Sequence, residues 1–131
     1  GQKMRVGVEG NYPPFSQISP DGKLSGFDID IANAVCERMK VECTLVQQEF
    51  DGIIPALNAK RFDMIVASMT ITEERKKSVD FSDPYYDVPS RWVAKAGAFT
   101  GEASPEALKG KKIIVLRNSP RARYVAERYK D

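Results

Sequence analysis

A chain of 131 residues, 42% apolar and 29% charged, holds enough for one ordinary packed domain and too little for two, and its composition is not that of a disordered chain. The formal net charge of +2 is the balance of 20 basic and 18 acidic residues dispersed along the chain, without the basic stripe of a nucleic-acid binder, so no nucleic-acid partner is expected. Histidine is absent, which removes Ser-His and Cys-His catalysis and the commonest metal ligand, and two cysteines alone do not close a zinc site, so no catalytic residues, metal or other cofactor are expected.

No run approaches the roughly 20 apolar residues of a membrane span, and the opening Gly1-Gln2-Lys3-Met4 does not read as a signal peptide. Met4 to Glu9 predicts a buried first strand with Val6 and Val8 on one face. Glu9 closes it, either as a surface charge or, because open α/β sheets bind ligands at strand carboxyl ends, as the counter-ion of a cationic ligand. Asn11-Tyr12-Pro13-Pro14-Phe15 is a stiff extended loop, whose aromatics either pack beneath it or, for Tyr12, stand at the crevice. Ser19 to Lys23 has turn chemistry. From Phe27 on, Phe27, Ile31, Val35 and Met39 recur every four residues, with Ala32 and Cys36 beside them, which predicts an amphipathic helix. Asp28 and Asp30 fall in its first turn, where the helix dipole explains them more simply than a metal does.

Val41 to Gln47 alternates and predicts the second strand. Cys36 and Cys43 enclose ERMKVE at this helix-to-strand passage, a spacing that suits a disulfide and equally two buried thiols. Phe50 to Leu57 opens a second helix, with Pro55 either in its first turn or bending it, and with Ile53, Ile54 and Leu57 toward the sheet. Phe50 stands at the same crevice edge as Tyr12, where two aromatic faces suit an alkyl chain or a cation. Met64 to Ala67 is the third strand, and each crossover contains a helix, so a mostly parallel sheet flanked by helices follows.

Ser68 to Tyr86, SMTITEERKKSVDFSDPYY, is the stretch around which the chain is organised. Thr70 stands three residues before Glu73, the spacing of a capping box, so a helix start is expected at a strand's carboxyl end, with Arg75 in its first turn. A guanidinium there suits a bidentate carboxylate, although local sequence alone favours reading the EERKK run as a solvated surface turn, because charge runs usually face water. Beyond it, Arg91 to Lys95 and Ile113 to Leu116 have strand composition, residues 97–104 read as a linker or loop, and Ser104-Pro105 and Ser119-Pro120 are helix starts.

YPPFS at 12–16, GFDIDIANAVCERM at 26–39, FDGIIPAL at 50–57, FDMIVASMTITEER at 62–75 and VDFSDPYY at 79–86 together resemble the family 3 extracellular solute-binding proteins, which deliver polar amino acids to ABC transporters. Glu9, Cys36 with Cys43, and QEFDG at 48–52 are most similar to the lysine/arginine/ornithine-binding type. The resemblance implies a periplasmic-binding-protein type II lobe over residues 1–95, then a linker and the first βα unit of a truncated second lobe over 96–131. It implies a Cys36–Cys43 disulfide and a periplasmic protein whose signal peptide is absent from this chain. It further implies that Arg75 takes a ligand's α-carboxylate with Ser68 and Thr70, that Tyr12 and Phe50 flank the side chain, and that Glu9 pairs with its distal cation. The loop at 117–121 with Ser119 would face the ligand, although Pro120 stands where such loops usually carry threonine. The implied function is binding of lysine, arginine or ornithine for an ABC membrane permease, with a cleft enzyme or a receptor's sensing ectodomain as alternatives. A shortened second lobe would leave apolar surface uncovered, so self-association through residues 88–131 is expected.

Overall fold

A computed structural model of the chain describes residues 1–130. It divides into two compact units, Gly1–Ser82 and Asp83–Asp131. In the first, β1 (Lys3–Val8) lies between β5 (Glu42–Gln47) and β6 (Met64–Ile65) in a parallel sheet of order β5-β1-β6. Val8 pairs with Gln47, and Gly7 with Ile65. A small antiparallel sheet of β2 (Asn11–Tyr12), β3 (Ser16–Ile18) and β4 (Leu24–Ser25) stands beside it, β3 and β4 turning at Ser19–Lys23.

Strand alternation sends Val6 and Val8 to one face of β1, where they pack with Ile29, Ala32 and Cys36 of α1 (Phe27–Met39). Gly7 serves the other face. A Cβ there would sit 2.6 Å from the Phe62 ring, so glycine lets Phe62 close against the strand, in a cluster with Ile53 and Ala56 of α2 (Ile53–Asn58). Ile54 and Leu57 join that cluster as expected, and Phe50–Gly52 precedes α2 as a 3₁₀ turn.

The face of α1 differs from the expected stripe. Asp28, Ile29, Ala32 and Cys36 are buried, while Phe27, Val35 and Met39 are 36%, 37% and 49% exposed. Residues spaced by four drift ~40° per step around a helix of 3.6 residues per turn, so a long series of this kind cannot stay on one face. Gly26 at the start of α1 has φ +125°, and a Cβ on it would lie 2.5 Å from the Phe15 carbonyl oxygen. The helix consequently docks onto the preceding loop, with the Phe27 N–H donating to the Pro14 carbonyl and the Asp28 N–H to that of Phe15. Cys36 and Cys43 are bridged, joining α1 to β5 with Cα atoms 6.1 Å apart, a closure that contributes about 2.5 kcal/mol in the chain-entropy account.

The second unit contains α4 (Pro105–Leu108) and α5 (Pro120–Arg128), capped by Ser104 and Ser119. Between them and the first unit's β6 comes α3 (Glu73–Lys76), which belongs to the first unit. The stretches Arg91 to Lys95 and Ile113 to Leu116 are irregular, contrary to their strand composition, with Val93 92% and Ile114 97% exposed. Composition describes how a residue fits a half-buried pleated surface, and no ladder partner is present among the described residues of this unit to supply one.

Candidate functional site

The carboxyl ends of β1 and β6 gather most of the expected residues of the first unit. Glu9 follows the last residue of β1 and is 6% exposed. Its backbone carbonyl accepts from Gln47 Nε2 at 2.7 Å, and the next amide, Gly10 N–H, donates to the buried Ser16 hydroxyl at 3.0 Å. Burial, and then the charge of Asp28, push the Glu9 carboxyl above the ordinary glutamate value. No cation pairs with Glu9 among the described residues. A buried carboxylate in this state is stabilised by an arriving cation.

Arg75, Thr70 and Phe50 meet at a second point. The Arg75 guanidinium donates to the Thr70 carbonyl at 2.8 Å and lies over the Phe50 ring, 5.3 Å from its centroid. The N-cap of α3 is Thr72, whose hydroxyl accepts from the Arg75 N–H at 3.1 Å, so the capping residue sits two positions after the Thr70 read from the sequence. The helix is a single turn of four residues, too short for the helix dipole to add much, so the guanidinium fork is the group suited to an anion here.

Ser68 lies past the end of β6 with φ +49°, in the left-handed region that non-glycine residues seldom occupy. Its hydroxyl donates to Asp28 Oδ1 at 2.7 Å, across 40 positions of sequence. Asp28 is thereby a structural partner of the site and not simply a charge at the start of a helix, whereas Asp30 is exposed. Asp28 shares the buried side of α1 with Ala32 and Cys36. Tyr12 stacks on Phe15 at 5.2 Å, and Phe15 in turn meets Phe27 edge-on at 6.1 Å. Tyr12 and Phe50 thus each have an aromatic or cationic neighbour of their own. In the second unit, Ser119 is 7% exposed, donating to the Leu116 carbonyl at 2.6 Å and accepting from the Ala122 N–H at 3.2 Å, as the cap of α5.

An L-arginine-binding protein of Pseudomonas aeruginosa is 55% identical over 123 residues, covering 94% of this chain and 47% of the relative. An ancestral arginine-binding protein solved with bound arginine superposes with a TM-score of 0.86 at 43% identity, over 100% of this chain and 57% of that one. The arginine-bound domain 1 of an arginine-binding protein from T. maritima covers 65% of this chain and 68% of its own length, at 47% identity and a TM-score of 0.62. The chain spans about half the length of the curated relatives it matches. The family model of the bacterial extracellular solute-binding proteins, family 3, matches residues 4–120, nearly the whole span that carries the parallel sheet, the Ser68 turn and Arg75. With the type II periplasmic-binding-protein fold in those structural neighbours, this chain belongs to the family 3 bacterial extracellular solute-binding proteins.

Proposed function

We propose that this chain binds a basic L-amino acid, lysine, arginine or ornithine, in the periplasm, for delivery to the membrane permease of an ABC importer, and does no chemistry on it. The observation that carries this reading is Glu9, a buried carboxylate with no cation paired to it among the described residues, at the same end of the sheet as a guanidinium. Arg75 takes the α-carboxylate, with Ser68, through its backbone, and Thr70 assisting, Glu9 pairs with the side-chain cation, and Tyr12 and Phe50 flank the alkyl stem. The arginine found in the isolated domain 1 of the T. maritima protein supports a site resting chiefly on the first unit. Ser119 enters this reading only through the family likeness, since its hydroxyl is committed to capping α5.

Calorimetry with lysine, arginine, ornithine and glutamate tests the assignment, with the ligand recovered unchanged afterwards. Arg75→Ala should remove most of the affinity, because charge-assisted hydrogen bonds contribute about 1.5–3 kcal/mol each. Arg75→Lys should restore part of it, lacking the fork. Glutamate bound more tightly than arginine would refute the role given to Glu9.

We also propose self-association through residues 88–131. Trp92, Val93, Ile114 and Leu116 are 47%, 92%, 97% and 43% exposed, and apolar side chains left in water favour association. Light scattering at micromolar concentration should find a species larger than the monomer that Val93→Ser with Ile114→Ser returns to monomer. A wild-type chain that stays monomeric across the concentration range would end this reading.

A further inference from the structure

Asp28 touches two walls of the candidate site at once. Its backbone N–H donates to the Phe15 carbonyl at 2.7 Å, tying the start of α1 to the loop that carries Tyr12, and its Oδ1 accepts the Ser68 hydroxyl at 2.7 Å. It is wholly buried, and the glycine before Phe27 allows the helix to approach the Phe15 carbonyl so closely. Ser68 holds a left-handed backbone conformation without being glycine, and such a conformation persists where surrounding contacts over-determine it. The hydroxyl proton of Ser68 is donated to Asp28 Oδ1. The side chain that fixes this turn is therefore supplied by another element, 40 positions away.

We propose that Asp28 is a positioning residue, which locks the Ser68 turn and the Tyr12–Phe15 loop into one arrangement ready for ligand without touching the ligand itself. The carboxylate holds the Ser68 hydroxyl, and the backbone N–H of the same residue holds the Phe15 carbonyl. Its charge also acts on Glu9, which keeps the region favourable to a cation. The affinity arm of the test rests on the amino-acid-binding reading above, and the ligand-free arm does not.

The ligand-free arm compares backbone amide resonances of the full chain with those of Asp28→Ala, Asp28→Asn and Ser68→Ala. Asp28→Ala should shift the amides of Ser68 to Thr70, while Asp28→Asn, which keeps an acceptor oxygen, should leave them near their wild-type positions. Ser68→Ala should shift the amide of Asp28. Should Asp28→Ala fail to fold, the Ser68→Ala and Asp28→Asn spectra decide the matter by themselves. In calorimetry with arginine, Asp28→Ala and Ser68→Ala should each weaken binding about tenfold, and the double variant should be no weaker than the worse single one, because both remove one interaction. Asp28→Asn should recover most of that loss. Unmoved Ser68 to Thr70 amides in Asp28→Ala, or losses that multiply in the double variant, would overturn the proposal. A wild-type chain that binds no amino acid overturns the functional reading instead, and the amide shifts still judge Asp28.

Discussion

The two units make opposite use of similar apolar composition. In the first, Val6, Val8 and Ile53 are fully buried and Phe62 is 1% exposed, because β1 has a partner on each side and a helix over each face. In the second, IIVL at 113–116 is as strand-like in composition as MIVA at 64–67, yet Ile114 is almost wholly in water and the segment forms no ladder. Burial in this molecule is a property of what lies alongside a segment, and local preference becomes structure only where a neighbouring strand or helix completes it.

The sharpest way to break that contrast is to remove one large apolar side chain from each unit. Phe62→Ala empties a closed site between α2 and the sheet, and large-to-small core changes of this type cost about 3–5 kcal/mol. Ile114→Ala takes away a side chain that is solvated in the monomer and, at concentrations where the chain is monomeric, should stay within about 0.5 kcal/mol of wild type. Urea unfolding of both variants measures the difference, and comparable losses would show that the second unit has a core of its own around Ile114.

The first unit was largely legible because its signals agree. Strand, helix and strand alternate with short passages, the α1-facing side of β1 is visible in Val6 and Val8, and the helix starts at Gly26-Phe27 as the pattern requires. The Cys36–Cys43 bridge was open on spacing alone and was implied by the family likeness. What the sequence hid were contacts between distant positions. Nothing near Ser68 announces that its hydroxyl serves Asp28, and nothing near Phe50 announces that Arg75 lies over its ring. Local rules also misplaced the cap of α3, since Thr70 and Thr72 both offer a hydroxyl and only the path of the backbone after Ser68 selects Thr72. The strand readings at 91–95 and 113–116 went astray because composition carries no information about partners.

The smallest expected effect concerns Glu9, and its sign follows from burial. The carboxyl is held above the ordinary glutamate value by desolvation first and by Asp28 second. Between the ordinary value and the raised one, the folded chain holds a proton that the unfolded chain has already released, so stability falls as pH rises through that window. Below the window both states are protonated and the full stability is present; above it both are ionised and the loss is complete. Asp21 and Asp63 shift the other way, Asp21 through the Ser19 hydroxyl and Asp63 through the Arg5 backbone N–H, and their contributions are lost as pH falls below the ordinary carboxylate range. Those two groups are common to wild type and Glu9→Gln, so the difference between the two pH–stability curves isolates Glu9. Glu9→Gln should be the more stable protein above the window and should lose the downward slope within it. If arginine binds as proposed, it reverses the preference, because a cation beside Glu9 favours its ionised form. Arginine affinity of the wild type should therefore decline as pH falls through the same window, while that of Glu9→Gln stays low and flat. Parallel stability curves for the two proteins would show that Glu9 is solvated in the folded chain, and with that its place as the buried anion of the site would be gone.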